Sequence, residues 1–219
     1  MTKTTNVVSR AERSTTRALP GMALIAMLAW TMGPTAVSAA PSCLADSNPN
    51  LVRNGGFESG SGTHVTDWKV EWSSSADPFV YIERGHAHNG AQDLALGTTK
   101  ASNDIVQKVR GTSRDNIYTI CFWLYSSPNV TGGVTTFDVL WNNVTELNLT
   151  NSAQFGYQYF AINVLAQGDD SDYLRFRERN NQGFYYMDDV SVQLCSGCTL
   201  APDADRRAKS TQAERTPLE

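Results

Sequence analysis

The sequence predicts an all-β protein, a two-sheet antiparallel β-sandwich of the jelly-roll kind, and three observations carry that expectation. Short apolar stretches alternate with polar residues, instead of recurring every three or four positions as an amphipathic helix requires. Turn formers separate the stretches: Asn54-Gly55-Gly56, Ser59-Gly60-Ser61-Gly62, Asn89-Gly90, Thr131-Gly132-Gly133, Gly168-Asp169-Asp170 and Asn180-Asn181-Gln182-Gly183. The composition, 41% hydrophobic, 10% aromatic and 18% charged over 219 residues, supports one packed domain with appendages.

In chain order the predicted strands are 51–53, 68–72, 79–83, 93–96, 104–109, 118–125, 136–141, 146–149, 159–165, 173–179 and 185–194. Their lengths match those of sheet strands, and about ten of them spaced by turns favour two packed sheets over a single open one. Alternation is sharpest in 173–179. Leu174, Phe176 and Glu178 share one face there, while Arg175, Arg177 and Arg179 share the other. Three cations in register repel unless carboxylates or a ligand sit between them.

Residues 1–40 read as a signal peptide: Lys3, Arg10, Arg13 and Arg17 precede an 11-residue apolar run from Met22 to Met32, and Ser38 and Ala40 suit a cleavage site before Pro41. The run is too short to span a bilayer, which takes roughly 20 residues. The mature protein is therefore expected to be secreted, with no membrane span after cleavage. The domain is assigned to 41–198 and a disordered tail to 199–219, where acidic and basic residues balance and Leu218 is the one large apolar side chain after Pro202. Beyond residue 40 the chain has 14 Lys and Arg against 21 Asp and Glu, which argues against nucleic acid as a partner.

Export makes the four cysteines disulfide candidates, and four permit three pairings. The expectation is a clasp from Cys43 to Cys195 or Cys198 joining the chain ends, with Cys121 as a small buried hydrophobe. The Cys195-Ser-Gly-Cys198 spacing has neither the helix N-terminus of a redox motif nor further ligands for zinc.

The segments Asn50-Leu51-Val52-Arg53-Asn54-Gly55-Gly56-Phe57-Glu58, Trp68, Gly90 to Leu96, Tyr118-Thr119-Ile120-Cys121-Phe122-Trp123 and Tyr185-Tyr186-Met187-Asp188-Asp189-Val190-Ser191-Val192 resemble a secreted galactose-binding-like jelly roll. The resemblance is to family 4 and family 9 carbohydrate-binding modules, over about 145 residues, and it is most specific at its two ends. It implies a structural Ca²⁺ held between the NGGFE turn and the last strand. Carried over, Glu58 and Asp188 give carboxylate oxygens, Gly56 and Gln92 backbone carbonyls, and Asn89 a side-chain oxygen, a donor set of the hard kind Ca²⁺ takes. Asn89 stands where relatives can have a carboxylate, which lowers the site charge. The competing reading has Glu58 capping a turn and Asp188 bonding backbone amides.

The resemblance also implies polysaccharide or glycan binding, which needs aromatic faces to stack on sugars and polar groups to orient hydroxyls. Trp72, Trp141 and Tyr157 are the aromatic candidates, with Arg175 and Arg177 as polar ones, whereas Trp68 and Trp123 are assigned to the core. Sugar-binding relatives place an aromatic before an Asp-Ile pair. Asn103 takes that place here, before Asp104-Ile105.

No catalytic residues are assigned, because the sequence has no G-x-S-x-G elbow, H-E-x-x-H or phosphate loop. His86 and His88 would share a face on a strand, but a loop lacking a third ligand is the simpler reading. Asp169 to Asp172 read as a solvated hairpin tip. The function expected is that of a secreted, non-catalytic glycan-binding protein; the alternative is an extracellular matrix or surface adhesion protein binding protein partners, which an exposed contiguous apolar patch would favour.

Overall fold

Alternating side chains let a strand bury one face, and the described residues form twelve strands. The structure is a computed structural model that describes residues 43, 48–72, 79–98, 102–127, 134–168, 170–180 and 183–200. The signal-peptide reading of 1–40 and most of the tail, 201–219, lie outside the described residues.

The strands are β1 (Gly60–Ser61), β2 (His64–Val65), β3 (Lys69–Trp72), β4 (Phe79–Glu83), β5 (Asp93–Gly97), β6 (Asn103–Val109), β7 (Ile117–Ser126), β8 (Thr135–Trp141), β9 (Val144–Thr150), β10 (Phe155–Leu165), β11 (Asp172–Asn180) and β12 (Tyr185–Leu194). Apart from the β1-β2 pair they form two five-stranded sheets. Sheet I has the order β10-β7-β12-β5-β4 and sheet II the order β3-β6-β11-β8-β9. Every pairing is antiparallel. The predicted sandwich is observed.

The inward faces meet in one core. Leu94, Leu96, Ile120, Phe122, Leu124 and Met187 of sheet I and Ile105, Phe137, Leu174 and Phe176 of sheet II are fully buried. Phe122 of β7 stacks on Phe160 of β10 at 5.2 Å and meets Phe176 of β11 edge-on at 5.3 Å, so one ring ties both sheets.

Residues 51–53 are not a strand. The Asn50 side chain does part of the work of a ladder: Oδ1 accepts from Val52 N and Val192 N, and Nδ2 donates to Val190 O. The following turn packs so closely on β12 that a Cβ at Gly55 would lie 2.0 Å from Val190 O. Only glycine fits there.

The clasp expected between the chain ends is corrected. Cys43 bonds Cys121, and Cys195 bonds Cys198. Cys121 sits on the outward side of β7 between the small residues Ser191 of β12 and Ala161 of β10, which leave room for an incoming cysteine. Cys121 is buried as expected but bonded instead of free, and Cys43 N donates to Tyr159 Oη of β10 at 2.8 Å.

Two of the buried acidic groups bear on the sequence reading, one against expectation and one on the face that alternation assigned it. Asp172 is no solvated tip: its carboxylate accepts from Thr112 Oγ1, Asn142 Nδ2, Gln167 N and Gly168 N at 2.6 to 3.0 Å. Glu178, on the inward face of β11, is fully buried and accepts from Asn103 Nδ2 at 3.0 Å. Burial pushes its carboxyl up to about 8. Glu178 Oε2, Thr135 Oγ1, Tyr185 Oη and both polar side-chain atoms of Asn180 are buried without partners among the described residues.

Candidate functional site

The outward face of sheet I is built by alternation and register. Along β7 the residues Tyr118, Ile120, Phe122 and Leu124 point into the core, so Trp123 and Tyr125 point outward. Register then aligns Tyr81 of β4, Ala95 of β5, Tyr186 of β12 and Tyr125 of β7 in a row across four strands. At about 4.8 Å per strand the row crosses roughly 15 Å. A second row places Tyr159 of β10 and Asp188 of β12 on either side of Trp123. Phe184 extends the aromatic surface toward the β4 edge, meeting Phe79 and Tyr81 edge-on at 6.1 and 6.0 Å.

The loop joining β4 to β5 folds back over these rows. His86 stacks on Tyr186 at 4.0 Å, with Nδ1 2.5 Å from Glu83 Oε1. His88 stacks on Trp123 at 4.0 Å and meets Tyr157 edge-on at 5.1 Å, with Nδ1 2.8 Å from Asp189 Oδ2. Both histidines thus lie on one face, as alternation over two residues allows, and each is oriented by a carboxylate. No group of three His, Cys, Asp or Glu set to hold a metal occurs among the described residues.

Beneath the loop, Tyr157 reaches across the sheet and donates from Oη to Asp93 Oδ2 at 3.1 Å. Asp93 is fully buried, and its Oδ1 has no partner. Burial pushes its carboxyl up to about 6, against the lowering effect of the Tyr157 hydrogen bond. Glu83, its cross-strand partner, behaves oppositely. Burial raises it, but hydrogen bonds from His86 and the backbone of Gly85 and Arg84 outweigh that and hold it below the ordinary glutamate value. Burial also pushes the Tyr186 phenol up to about 12.

The five residues carried over for calcium come together at the edge of this face. Glu58 Oε1 accepts from Ala91 N and Gln92 N, and Gln92 Nε2 donates to Glu58 O. Asp188 Oδ2 accepts from His88 N and Asn89 N, while Asn89 Oδ1 accepts from Gly90 N. A Cβ at Gly56 would stand 3.8 Å from Asp188 Oδ1, 3.9 Å from Asp189 Oδ1 and 4.0 Å from Glu58 Cγ. Asp189, which the sequence reading leaves out, enters because the β7-β12 register shifts between Asp188 and Ser191, and its φ is 52°.

Of the six ligand-binding candidates read from the sequence, only Tyr157 belongs to the aromatic face. Trp141 is 3% exposed and donates from Nε1 to Leu165 O at 2.9 Å, so it is a core residue. Asn103 is buried against Glu178 and Gly97 O. Arg175 and Arg177 lie on the opposite sheet and are held by carboxylates. Arg177 grips Asp104 through Nε and Nη2 at 2.8 and 2.9 Å, and Arg175 Nη1 bonds Asp104 and, at 2.9 Å, Glu71. Those hydrogen bonds outweigh burial and keep the Asp104 carboxyl below its ordinary value. Trp72 closes β3, and its side chain is outside the described residues. Conversely Trp123, assigned to the core, is half-buried on the aromatic face. The parity of 118–125 and of 136–141 carries the signal for both tryptophans.

No protein-family model matches the chain, and no curated protein matches it. Solved structures similar to it include TmCBM61 in complex with β-1,4-galactotriose, at 17% identity, covering 67% of this chain and 99% of that one, with a TM-score of 0.46. The CBM22-1 xylan-binding domain of Paenibacillus barcinonensis Xyn10C is 15% identical over 70% of this chain and 99% of that one, with a TM-score of 0.47. The enzymatically active domain of bacteriophage CBA120 tailspike protein 4 is 13% identical over 67% of this chain, with a TM-score of 0.49, but the match spans only 21% of the tailspike. All three scores fall below 0.5, and the sandwich is defined by its own strand pairing.

Proposed function

We propose that this is a secreted, non-catalytic glycan-binding protein whose ligand lies on the outward face of sheet I. The observation that carries the reading is the row Tyr81, Ala95, Tyr186 and Tyr125, flanked by Trp123, Tyr157 and Tyr159. Tyr81, Tyr125, Trp123 and Tyr159 are partly exposed and offer ring surface to sugar C–H groups, and Glu83 and the two exposed imidazoles supply hydroxyl partners. The leader-like residues 1–40 and the two disulfides support export.

The adhesion alternative gains nothing from the surface. The large exposed hydrophobics among the described residues are Phe79, Val134 and Tyr173, on β4, before β8 and on β11, so they form no shared patch.

We also propose that a structural Ca²⁺ joins the NGGFE turn to β12, held by Glu58, Asp188, Asn89 and the carbonyls of Gly56 and Gln92. The Asp188 and Asp189 carboxylates lie beside Gly56, with Glu58 two residues on in the same turn; no Lys or Arg pairs with them among the described residues, and the donors are hard oxygens. Each carboxylate has lone pairs beyond those used by the backbone amides. An ion bound only by the folded state raises the melting temperature by mass action, so Ca²⁺ added to chelator-treated protein is expected to raise it; identical melting curves with and without Ca²⁺ would remove the site.

The glycan reading is tested by affinity electrophoresis through gels containing plant, fungal and bacterial polysaccharides, with reducing-end release measured on the same polymers. Retardation by one or two polymers, lost in Tyr125→Ala and kept in Arg175→Ala, with no release, is the expected outcome. Free migration through every gel would overturn the reading, and release of reducing ends would make the protein an enzyme.

A further inference from the structure

The proposal here rests on the glycan-binding reading and specifies the sugar chemistry. The outward residues of sheet I include Glu83 and Asp93 among Tyr81, Tyr125, Tyr157 and Tyr186, and no outward position of its five strands is Lys or Arg. Glu83 is half-buried, and its carboxylate takes hydrogen bonds from Gly85 N, His86 and the Arg84 backbone. Asp93, directly across from Glu83, is fully buried with Oδ1 unpartnered. The basic residue of the adjoining loop, Arg84, is exposed and forms no ion pair among the described residues. Carboxylates beside aromatic rings, with the His86 imidazole and no Lys or Arg as the partner of Glu83, make an environment that favours a positive ligand, because ring faces attract cations and a half-buried carboxylate gains most from a partner that brings charge.

We propose that this face selects glycans bearing primary ammonium groups, as in polymers of glucosamine, with the ammonium beside the half-buried Glu83 carboxylate and within the field of Asp93. N-acetylation removes the charge while preserving the sugar backbone. A uronate places like charge against two carboxylates and is rejected.

The test is titration calorimetry of the whole secreted protein near neutral pH. The ligands are β-1,4-linked glucosamine oligomers, their N-acetylated counterparts, neutral oligomers of xylan and galactan, and oligogalacturonate. Glucosamine oligomers are expected to bind about tenfold more tightly than the N-acetylated ones, with an advantage that shrinks as salt rises, and oligogalacturonate is expected not to bind. Glu83→Gln is expected to abolish the advantage. Asp138→Asn, which removes a charge from the opposite sheet, is expected to preserve it and so to separate local recognition from net charge. Equal or tighter binding of the N-acetylated or acidic oligomers overturns the ammonium proposal and leaves glycan binding standing. Equal losses in Glu83→Gln and Asp138→Asn also overturn it, and absence of binding to every oligomer overturns both. If Glu83→Gln fails to fold, the salt dependence of the wild-type advantage decides alone.

Discussion

The two outward faces of the sandwich are built by the same alternation, yet they differ in what they leave unpaired. Across sheet II one row reads Glu71, Asp104, Arg177, Asp138 and Asn148, one residue from each of five strands. Nearly every charge there meets a partner: Arg177 grips Asp104, Arg175 bridges Asp104 and Glu71, and Asn148 Nδ2 donates to Asp138. The corresponding row of sheet I is aromatic, with Glu83 and Asp93 beside it and no guanidinium or ammonium to close them. A self-satisfied row holds strands together, whereas a row with partly exposed rings at Tyr81 and Tyr125 beside the half-buried Glu83 has something left to offer a ligand.

The largest expected effect comes from the staple on sheet I. Replacing Cys43 and Cys121 by serine opens a link of sequence separation 78, and loop closure alone predicts a loss of about 4 kcal/mol in denaturant unfolding. No stability change would mean that the Cys43–Cys121 link does not constrain the unfolded chain.

Next is the buried acid behind sheet II. Glu178 is raised from 4.5 to about 8 by burial, with the charge of Asp104 adding to the shift and the Asn103 and Asn180 hydrogen bonds opposing it. The folded state therefore holds a proton that the unfolded state has released, and stability falls as pH rises from about 4.5 to about 8 before levelling off. Glu178→Gln, which keeps an acceptor for Asn103, is expected to flatten that slope and gain on the order of 2–4 kcal/mol at pH 9. A slope unchanged in the variant would place the titrating group elsewhere.

Smaller effects separate the two faces directly. Trp123→Ala removes the bed on which His88 stacks, and about a tenfold weaker retention by the bound polysaccharide is expected, equivalent to about 1.4 kcal/mol. Arg177→Met on the other face should leave retention alone. It should cost less than about 1 kcal/mol of stability, because the guanidinium is 42% exposed and water screens its pairing. If Arg177→Met weakened retention as much as Trp123→Ala, the contrast between the faces would collapse.

Much of this was legible residue by residue. Ten of the eleven predicted strands are present, and Phe137, Val139 and Trp141 share a parity that marks Trp141 as core, just as Thr119, Cys121, Trp123 and Tyr125 share the parity opposite Ile120 and Phe122. That parity reverses the expected roles of Trp123 and Trp141. The row of three arginines on β11 was also legible, but its carboxylates come from β3 and β6, 71 to 104 residues away. The stacking of His86 and His88 depends on a loop path that no local pattern encodes.

The sequence by itself determined the all-β class, ten of its strands and the alternation along them, because these follow from the two-residue period of an extended chain, whereas the close approach that demands glycine at position 55 is a tertiary contact with β12. Tertiary structure alone decided that Cys43 meets Cys121, that Arg177 is spent on Asp104, and that Asp93 lies under Tyr157 with one oxygen unpartnered. Those outcomes depend on which strands become neighbours and in what register, which is fixed by packing between segments far apart in the chain.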